Sequence, residues 1–249
     1  MRVTSLVAIL AVATACANDP VEWSATRYAG TPTPPAPTTS IVEVPGIRPC
    51  ALSVRTVRMG SAALAAWWDV RADSSASLMV AKSPEPAAGW EVAVEVDPSD
   101  RSRRGCSRPP PAVTSDPAKG YVYLSYYAEP ASGDGIFFVH SMDSAATFHA
   151  PFPILFGENP ARVAIAAKGD RVVVAYEDPN SVQPRIGVAL SRTEGHLFEE
   201  RTAASSDNSR AKQPIVVLAA DTIRVWWSEY SANPSVSATR PAYREGIWK

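Results

Sequence analysis

Four times along the chain an aromatic residue is followed two positions later by an acid: Trp67 and Asp69, Tyr127 and Glu129, Tyr176 and Asp178, Trp227 and Glu229. Arg48 and Arg108 each stand directly before a proline, ahead of the first and second of these pairs. Flat apolar rings beside carboxylates and guanidinium groups are what a sugar site uses: the rings stack on the sugar face, and the charges bond hydroxyls or a carboxylate. A plainer reading gives the acids the task of solvating a rim and the rings that of packing between layers. Recurrence in every unit favours the plainer reading for most of these residues, because a catalytic group is more often unique to one unit. His140, His149 and His196 lack the spacing of metal ligands, so neither a metal site nor a cofactor is expected.

The elements that position these residues are short. Pro160 to Glu200 reads as strand, glycine turn, strand, polar loop, strand and a tight turn closed by an aromatic. Val163–Ala166 and Val172–Tyr176 are β-rich runs on either side of Lys168-Gly169-Asp170, a hairpin signal. Gly60, Gly120 and Gly169 each stand seven residues before Trp67, Tyr127 and Tyr176, while Ala220 takes that place before Trp227. Repetition at roughly fifty residues marks a repeat architecture. Third strands are expected at Leu78–Ala81, Ile136–His140, Ile186–Leu190 and Ser235–Ala238. Outer strands are expected at Glu91–Val96, Phe152–Phe156 and Glu199–Ala204.

Each third strand leads into a turn with a shared outline: SPEPAAGW at 83–90, SMDSAATF at 141–148, SRTEGHLF at 191–198 and, two residues longer, TRPAYREGIW at 239–248. In such a turn a serine and an acid bond the turn amides, glycine takes a positive φ and the aromatic tucks beneath. This S-x-D-x-G-x-x-W/F outline resembles the Asp-box, or BNR, repeat of the sialidase superfamily. The resemblance implies an all-β fold, a β-propeller of about four four-stranded blades over residues 40–249, or a truncated six-bladed one whose remaining blades lie beyond Lys249. It makes Ser83, Ser141, Asp143 and Ser191 structural, and places the aromatic–acid pairs with Arg48 and Arg108 around the opposite mouth. Ser40–Val44 resembles an outer strand and is expected to close the last blade, since closure removes edges. The resembled sialidases hold a substrate carboxylate with three arginines, one in an R-I-P motif, and use a tyrosine nucleophile. GIRPC matches that motif only loosely around Arg48, and no motif places the other arginines, so the catalytic residues stay unassigned.

The formal net charge of -1 argues against nucleic acid as a partner. Met1-Arg2 followed by an apolar run to Val12 is too short to span a bilayer. The run ends in Ala13-Thr14-Ala15-Cys16, which resembles the lipobox of bacterial lipoproteins and implies a signal peptide over 1–16, lipid on Cys16 and a cell-envelope location, the outer membrane in a Gram-negative source. Residues 17–39 carry TPTPPAPTTS, a Pro/Thr tract that favours extended backbone and reads as a tether. In an exported protein Cys50 and Cys106, each just ahead of an inner strand, invite a disulfide; two buried thiols are the alternative. The functional expectation is a lipid-anchored propeller that binds a glycan or an envelope protein. A sialidase-type glycoside hydrolase and an envelope scaffold are the alternatives.

Overall fold

Strand and turn alternate through the whole chain as the computed structural model describes it, over residues 19–35, 50–85, 89–207, 210–231 and 238–249. The strands are β1 (Val21–Trp23), β2 (Arg55–Met59), β3 (Ala62–Val70), β4 (Ala76–Ser83), β5 (Val94–Asp97), β6 (Ala112–Asp116), β7 (Tyr121–Ala128) and β8 (Gly135–Ser141). They continue as β9 (Phe152–Phe156), β10 (Val163–Lys168), β11 (Arg171–Glu177), β12 (Ile186–Ser191), β13 (Glu200–Ala203), β14 (Ala211–Ala219), β15 (Thr222–Tyr230) and β16 (Thr239–Trp248). They pair into four antiparallel four-stranded sheets, β2-β3-β4-β5, β6-β7-β8-β9, β10-β11-β12-β13 and β14-β15-β16-β1. These are the blades of a propeller, and the expected all-β fold with four blades is what the chain adopts.

The first hairpin of each blade turns where the sequence places it. Gly60, Gly120 and Gly169 have φ of 64°, 72° and 66°, and Ala220 is held at 51° in the same role. The middle strands β8 and β12 are buried at every position because neighbouring blades cover both of their faces, which is why they read as continuous apolar runs.

Three apolar clusters join successive blades. Leu64, Trp68 and Leu78 of the first pack on Leu124, Tyr126 and Phe137 of the second. Tyr123, Phe138 and Ile154 meet Ile165, Val172 and Val174. Val173, Val188 and Leu190 meet Val216, Ile223 and Trp227. Each fully buried side chain of this size contributes about 1.5–3 kcal/mol. Trp68 meets Tyr126 edge-on with centroids 5.6 Å apart, and its indole N–H donates to the Pro109 carbonyl at 2.9 Å. Cys50 and Cys106 are joined as a disulfide between the approaches to the first two blades, closing a loop of 56 residues.

The seam between the fourth and first blades is built differently. The second face of the first blade carries its own cluster, Ala65, Trp67 and Ala81 with Trp90. The second face of the fourth is covered by the N-terminal segment. Arg27 and Tyr243 exchange two backbone hydrogen bonds at 2.8 and 2.9 Å, and the Trp226 indole donates to the Pro32 carbonyl at 2.8 Å.

Two expectations are corrected here. Ser40–Val44 lies outside the described residues, and the strand that closes the last blade is β1, from within the stretch read as a tether. Val21 pairs with Trp248, Glu22 with Ile247 and Trp23 with Gly246. The alternation in Val-Glu-Trp buries Val21 and lets the Trp23 indole donate to Thr202 Oγ1 at 3.0 Å. The expected fourth turn, Thr239–Trp248, is instead the long strand β16, paired with β15 from Thr239 to Ile247. It has none of the serine–acid pair that would fold it back, and Trp248 gains more as a buried strand residue beneath Arg171 and Arg192, whose guanidinium carbons lie 5.0 and 4.6 Å from its ring. The expected third strand at Ser235–Ala238 falls almost wholly outside the described residues.

Two substitutions test this construction. Ala220→Gly removes the strain of a left-handed alanine and should raise stability by about 0.5–1 kcal/mol, read as a higher urea midpoint at unchanged slope. Gly246→Ala should do the reverse by about 1–3 kcal/mol, because a Cβ there would stand 2.6 Å from Trp23 Cε3 and closer still to Val21, displacing β1.

Candidate functional site

The inner strands β2, β6, β10 and β14 face a common cavity of about 490 Å³. Its wall is mainly backbone and small apolar side chains, as inner strands of a propeller must be to approach one axis. Into it the chain brings Arg55, Arg162, Gln213, Ser228 and the tandem Trp226 and Trp227, with Thr31, Pro34 and Pro35 of the N-terminal segment along one side. No acid, histidine or tyrosine is among the described wall residues.

The two arginines come from blades that face each other across the ring. Arg55 donates through Nη1 to the carbonyls of Leu52 and Val54, at 3.1 and 2.7 Å. Burial and then the facing charge of Arg162 push its pKa down, yet a guanidinium stays ionised throughout the physiological range. Among the described residues no carboxylate forms an ion pair with either arginine. Glu177 bonds backbone instead, accepting from the amides of Gln213 at 2.8 Å and Arg162 at 3.2 Å. Gln213 sits at the irregularity between Lys212 and Ile215 in β14, at a φ of 61°. A bulge of this kind re-aims a side chain and recurs beside binding sites. Its Oε1 accepts from Ser228 Oγ at 3.2 Å. Two cations, an amide and hydroxyls in one pocket can hold an anionic, hydroxyl-bearing ligand.

Of the residues singled out from sequence, Trp227 lines this cavity. Arg48 lies outside the described residues, as does Cys16. Trp67 is buried in the apolar cluster of the first blade, and Asp69 sits opposite Ser77 near the end of β3. Arg108 is buried in an ion pair with Asp100 at 2.6 Å and also donates to the carbonyls of Ser74 and Ser102, so it fastens a loop of the first blade to the entry of the second. Tyr127 is buried and donates to the Gly157 carbonyl at 3.1 Å, and Tyr176 packs its ring against Gly187. The remaining acids are each met by a local arginine: Glu129 by Arg104 at 2.6 Å, Asp178 by Arg185 at 2.7 Å and Glu229 by Arg240 at 3.2 Å. Sequence reasoning missed Arg55, Arg162 and Gln213, because their residue types do not repeat from unit to unit; the signal was their place at or near the start of inner strands.

On the opposite side the serine turns fold as their residue types require. Ser141 Oγ accepts from the Ala145 amide at 2.9 Å and donates to Asp143 Oδ1 at 2.8 Å. Asp143 in turn accepts from the Thr147 hydroxyl at 2.6 Å and amide at 2.9 Å. In the third blade Ser191 Oγ accepts from Gly195 at 3.0 Å, and Thr193 Oγ1 does the work of the acid, accepting from Leu197 at 3.0 Å. These turns also bring together the histidines whose sequence spacing gave no sign of a site. His140 and His149, nine positions apart across one turn, converge with His196 of the next blade, one ring nitrogen from each lying within 4.8 Å of the others. Burial, followed by the facing His149 and His196, holds His140 down at about 4.

The fold and its central pocket define the chain as a four-bladed antiparallel β-propeller with a basic cavity on its axis. No family profile matches the chain, and no curated protein matches it in sequence. Among solved structures it is similar to a leech intramolecular trans-sialidase complexed with 2,7-anhydro-Neu5Ac, at a TM-score of 0.53 and 11% identity over 78% of this chain and 30% of that one. It is similar to an ulvan lyase of a new polysaccharide lyase family, also at 0.53 and 11%, over 78% and 50%. A glycosyl hydrolase from Bacteroides ovatus aligns at 0.45 and 6%, over 77% and 65%. The chain thus spans between 30% and 65% of the length of these proteins, and likeness at such identity speaks to the fold.

The turn chemistry predicts a pH dependence. Hydrogen bonds from the Thr147 side chain and amide, then from Ser141, hold Asp143 at about 2, below its ordinary 3.8. A depressed carboxylate contributes stability that is complete above its unfolded value and is lost as pH falls through the folded one. Asp143→Asn should therefore lower the urea midpoint near pH 7, and the gap to the parent should narrow between about pH 4 and pH 2. A gap of constant size down to pH 2 would assign the loss to shape and not to charge.

Proposed function

We propose that this chain is a glycan-binding propeller of the sialidase-superfamily type, which takes an acidic sugar into its central cavity. One observation carries the reading: Arg55 and Arg162 face the same pocket without a partner carboxylate among the described residues, beside the Trp227 indole and the Gln213 amide. A sugar carboxylate would complete the two guanidinium groups, and the Gln213 amide would bond a hydroxyl. The serine turns at Ser141 and Ser191, and the likeness to a trans-sialidase and an ulvan lyase, support the same superfamily. The N-terminal sequence adds an address: export and a lipid on Cys16 would place this binding head at the cell envelope.

Catalysis at a glycosidic bond, hydrolysis among its forms, is the second reading, favoured by the glycan-cleaving enzymes among the similar structures. Against it stands the makeup of the described wall, which offers neither the paired carboxylates nor the tyrosine nucleophile by which glycosidases work. A scaffold role at the envelope would need a protein partner on the rim and no sugar in the pocket.

Titration calorimetry with sialyl and uronate-containing oligosaccharides, beside neutral ones of equal length, tests the proposal. Acidic sugars should bind and neutral ones should not. Arg55→Ala and Arg162→Ala should each weaken binding about 10- to 100-fold, the loss of one charge-assisted hydrogen bond or a bidentate pair. Trp227→Ala is a poorer probe, since that ring also packs between the third and fourth blades. Equal affinity for neutral sugars would remove the arginines from the account, and turnover of a 4-methylumbelliferyl sialoside would replace binding by hydrolysis.

A further inference from the structure

The three histidines of the chain meet on the face away from the cavity, at the junction of the second and third blades. His140, next to last in β8, is buried, whereas His149 and His196 are exposed. The turn at 141–148 folds the chain back so that the His149 amide donates to the His140 carbonyl at 2.9 Å, which sets their rings side by side with centroids 4.3 Å apart. The corresponding turn of the third blade brings His196 to 4.6 Å from His140 and 5.7 Å from His149. Gly195, at a φ of 85°, allows this approach, because a side chain there would strike Phe138 and His140. Two copies of one turn on neighbouring blades thus aim imidazoles at one point.

We infer that these residues form a binding site for a divalent first-row transition ion of the zinc class, held by His140, His149 and His196 with coordination left open towards solvent. The donor set suits the ion, since three neutral imidazoles with an open position are a recurrent zinc arrangement and imidazole also serves copper, nickel and cobalt. The distances suit it as well. Tetrahedral zinc with bonds of 2.0–2.1 Å needs ligand nitrogens about 3.3 Å apart, and those of His140 and His149 stand at 3.0 Å. His196, on an exposed turn, has only to close the remaining gap within the 4.8 Å cluster.

Two further features point to a ligand and not to ring packing. The His196 Nδ1 lies 2.7 Å from the Thr193 carbonyl, an outer contact that fixes the proton on Nδ1 and leaves Nε2 with its lone pair free for an ion. The buried Nδ1 of His140 has no hydrogen-bond partner, a condition rare for a nitrogen in a protein interior. The 3.0 Å spacing to His149 makes Nε2 the donor of His140, once their direct contact gives way to the ion. Among the described residues no carboxylate forms an ion pair with any of the three rings. Glu194, beside His196 in sequence, is paired with Lys119 and adds a negative charge close enough to act on His140. An ion here would clip the second blade to the third on their outer turns.

The test uses the full chain without a histidine tag, stripped with a chelator and titrated with zinc chloride by calorimetry, and with cobalt(II) followed by its visible ligand-field bands. One ion per chain is expected, with the band intensities of four-coordinate cobalt. His149→Ala and His196→Ala should each cost more than the ~10- to 100-fold that loss of an outer-shell contact costs a metal site, with circular dichroism of the stripped variants confirming that both remain folded. Zinc should raise the melting temperature of the parent and leave that of the double variant unchanged. Absence of saturable binding, or stoichiometric binding retained in the double variant, overturns the assignment.

Discussion

Every four-stranded blade has two apolar faces, and neither can be left to water. That need to cover both sides of each middle strand determines most of what the chain does. It stacks the blades face to face around an axis and leaves β8 and β12 buried at every position. It also brings the inner strands close enough to enclose a cavity. At the fourth blade the same need extends to a fourth strand and a cover for its second face. The N-terminal segment provides both, with Val21–Trp23 pairing along β16 and Arg27 to Pro32 lying over Tyr243 and Trp226. Closure by a strand from the opposite end of the chain ties residues more than two hundred positions apart, and makes the stability of the ring cooperative across the whole molecule.

The repeat itself was legible because its signals are local. A positive-φ turn, two β-rich runs and a serine turn lie within a few residues of one another, and each works through its own backbone. Ala220 was recognisable as a turn residue from its spacing, although its side chain disfavours the conformation it takes. The closing strand was illegible for the opposite reason. Three residues of Val-Glu-Trp in a proline-rich stretch carry no periodicity, and their meaning comes from a partner at the far end of the sequence. The reading of Thr239–Trp248 as a turn failed because an aromatic at the right distance was allowed to stand for the serine–acid chemistry that folds such turns.

The site residues divide along the same line. Three of the four acids that follow the aromatics, Glu129, Asp178 and Glu229, are met by Arg104, Arg185 and Arg240, while Asp69 sits opposite Ser77. Surface pairs of this kind add little stability, about 0–1 kcal/mol each, but they use up the carboxylates that otherwise resembled a sugar site. Arg108 and Asp100 go further, since both are buried and hydrogen-bonded on several sides, so that removing one partner would strand a charge in the interior. Arg55 and Arg162 were hidden because they belong to no repeat, and the histidines because their nearness is a property of two blades together. Function in a repeat fold sits where the repeat is broken, and sequence periodicity is blind there by construction.

The cavity and the closure are consequently one construction. Pro34 and Pro35 line the same pocket as Trp227, and Pro32 holds the neighbouring Trp226 by its indole N–H. A proline-rich strip suits this position, because its backbone has few amides to satisfy and little freedom to lose on docking. The segment that joins the propeller to whatever precedes it therefore also forms a wall of the pocket. Blade packing sets the pocket's depth, the two arginines set its charge, and the docked N-terminal strip sets its width on one side. Any force that peeled this strip from β16 would expose the faces of Tyr243 and Trp226 and open the pocket in the same movement.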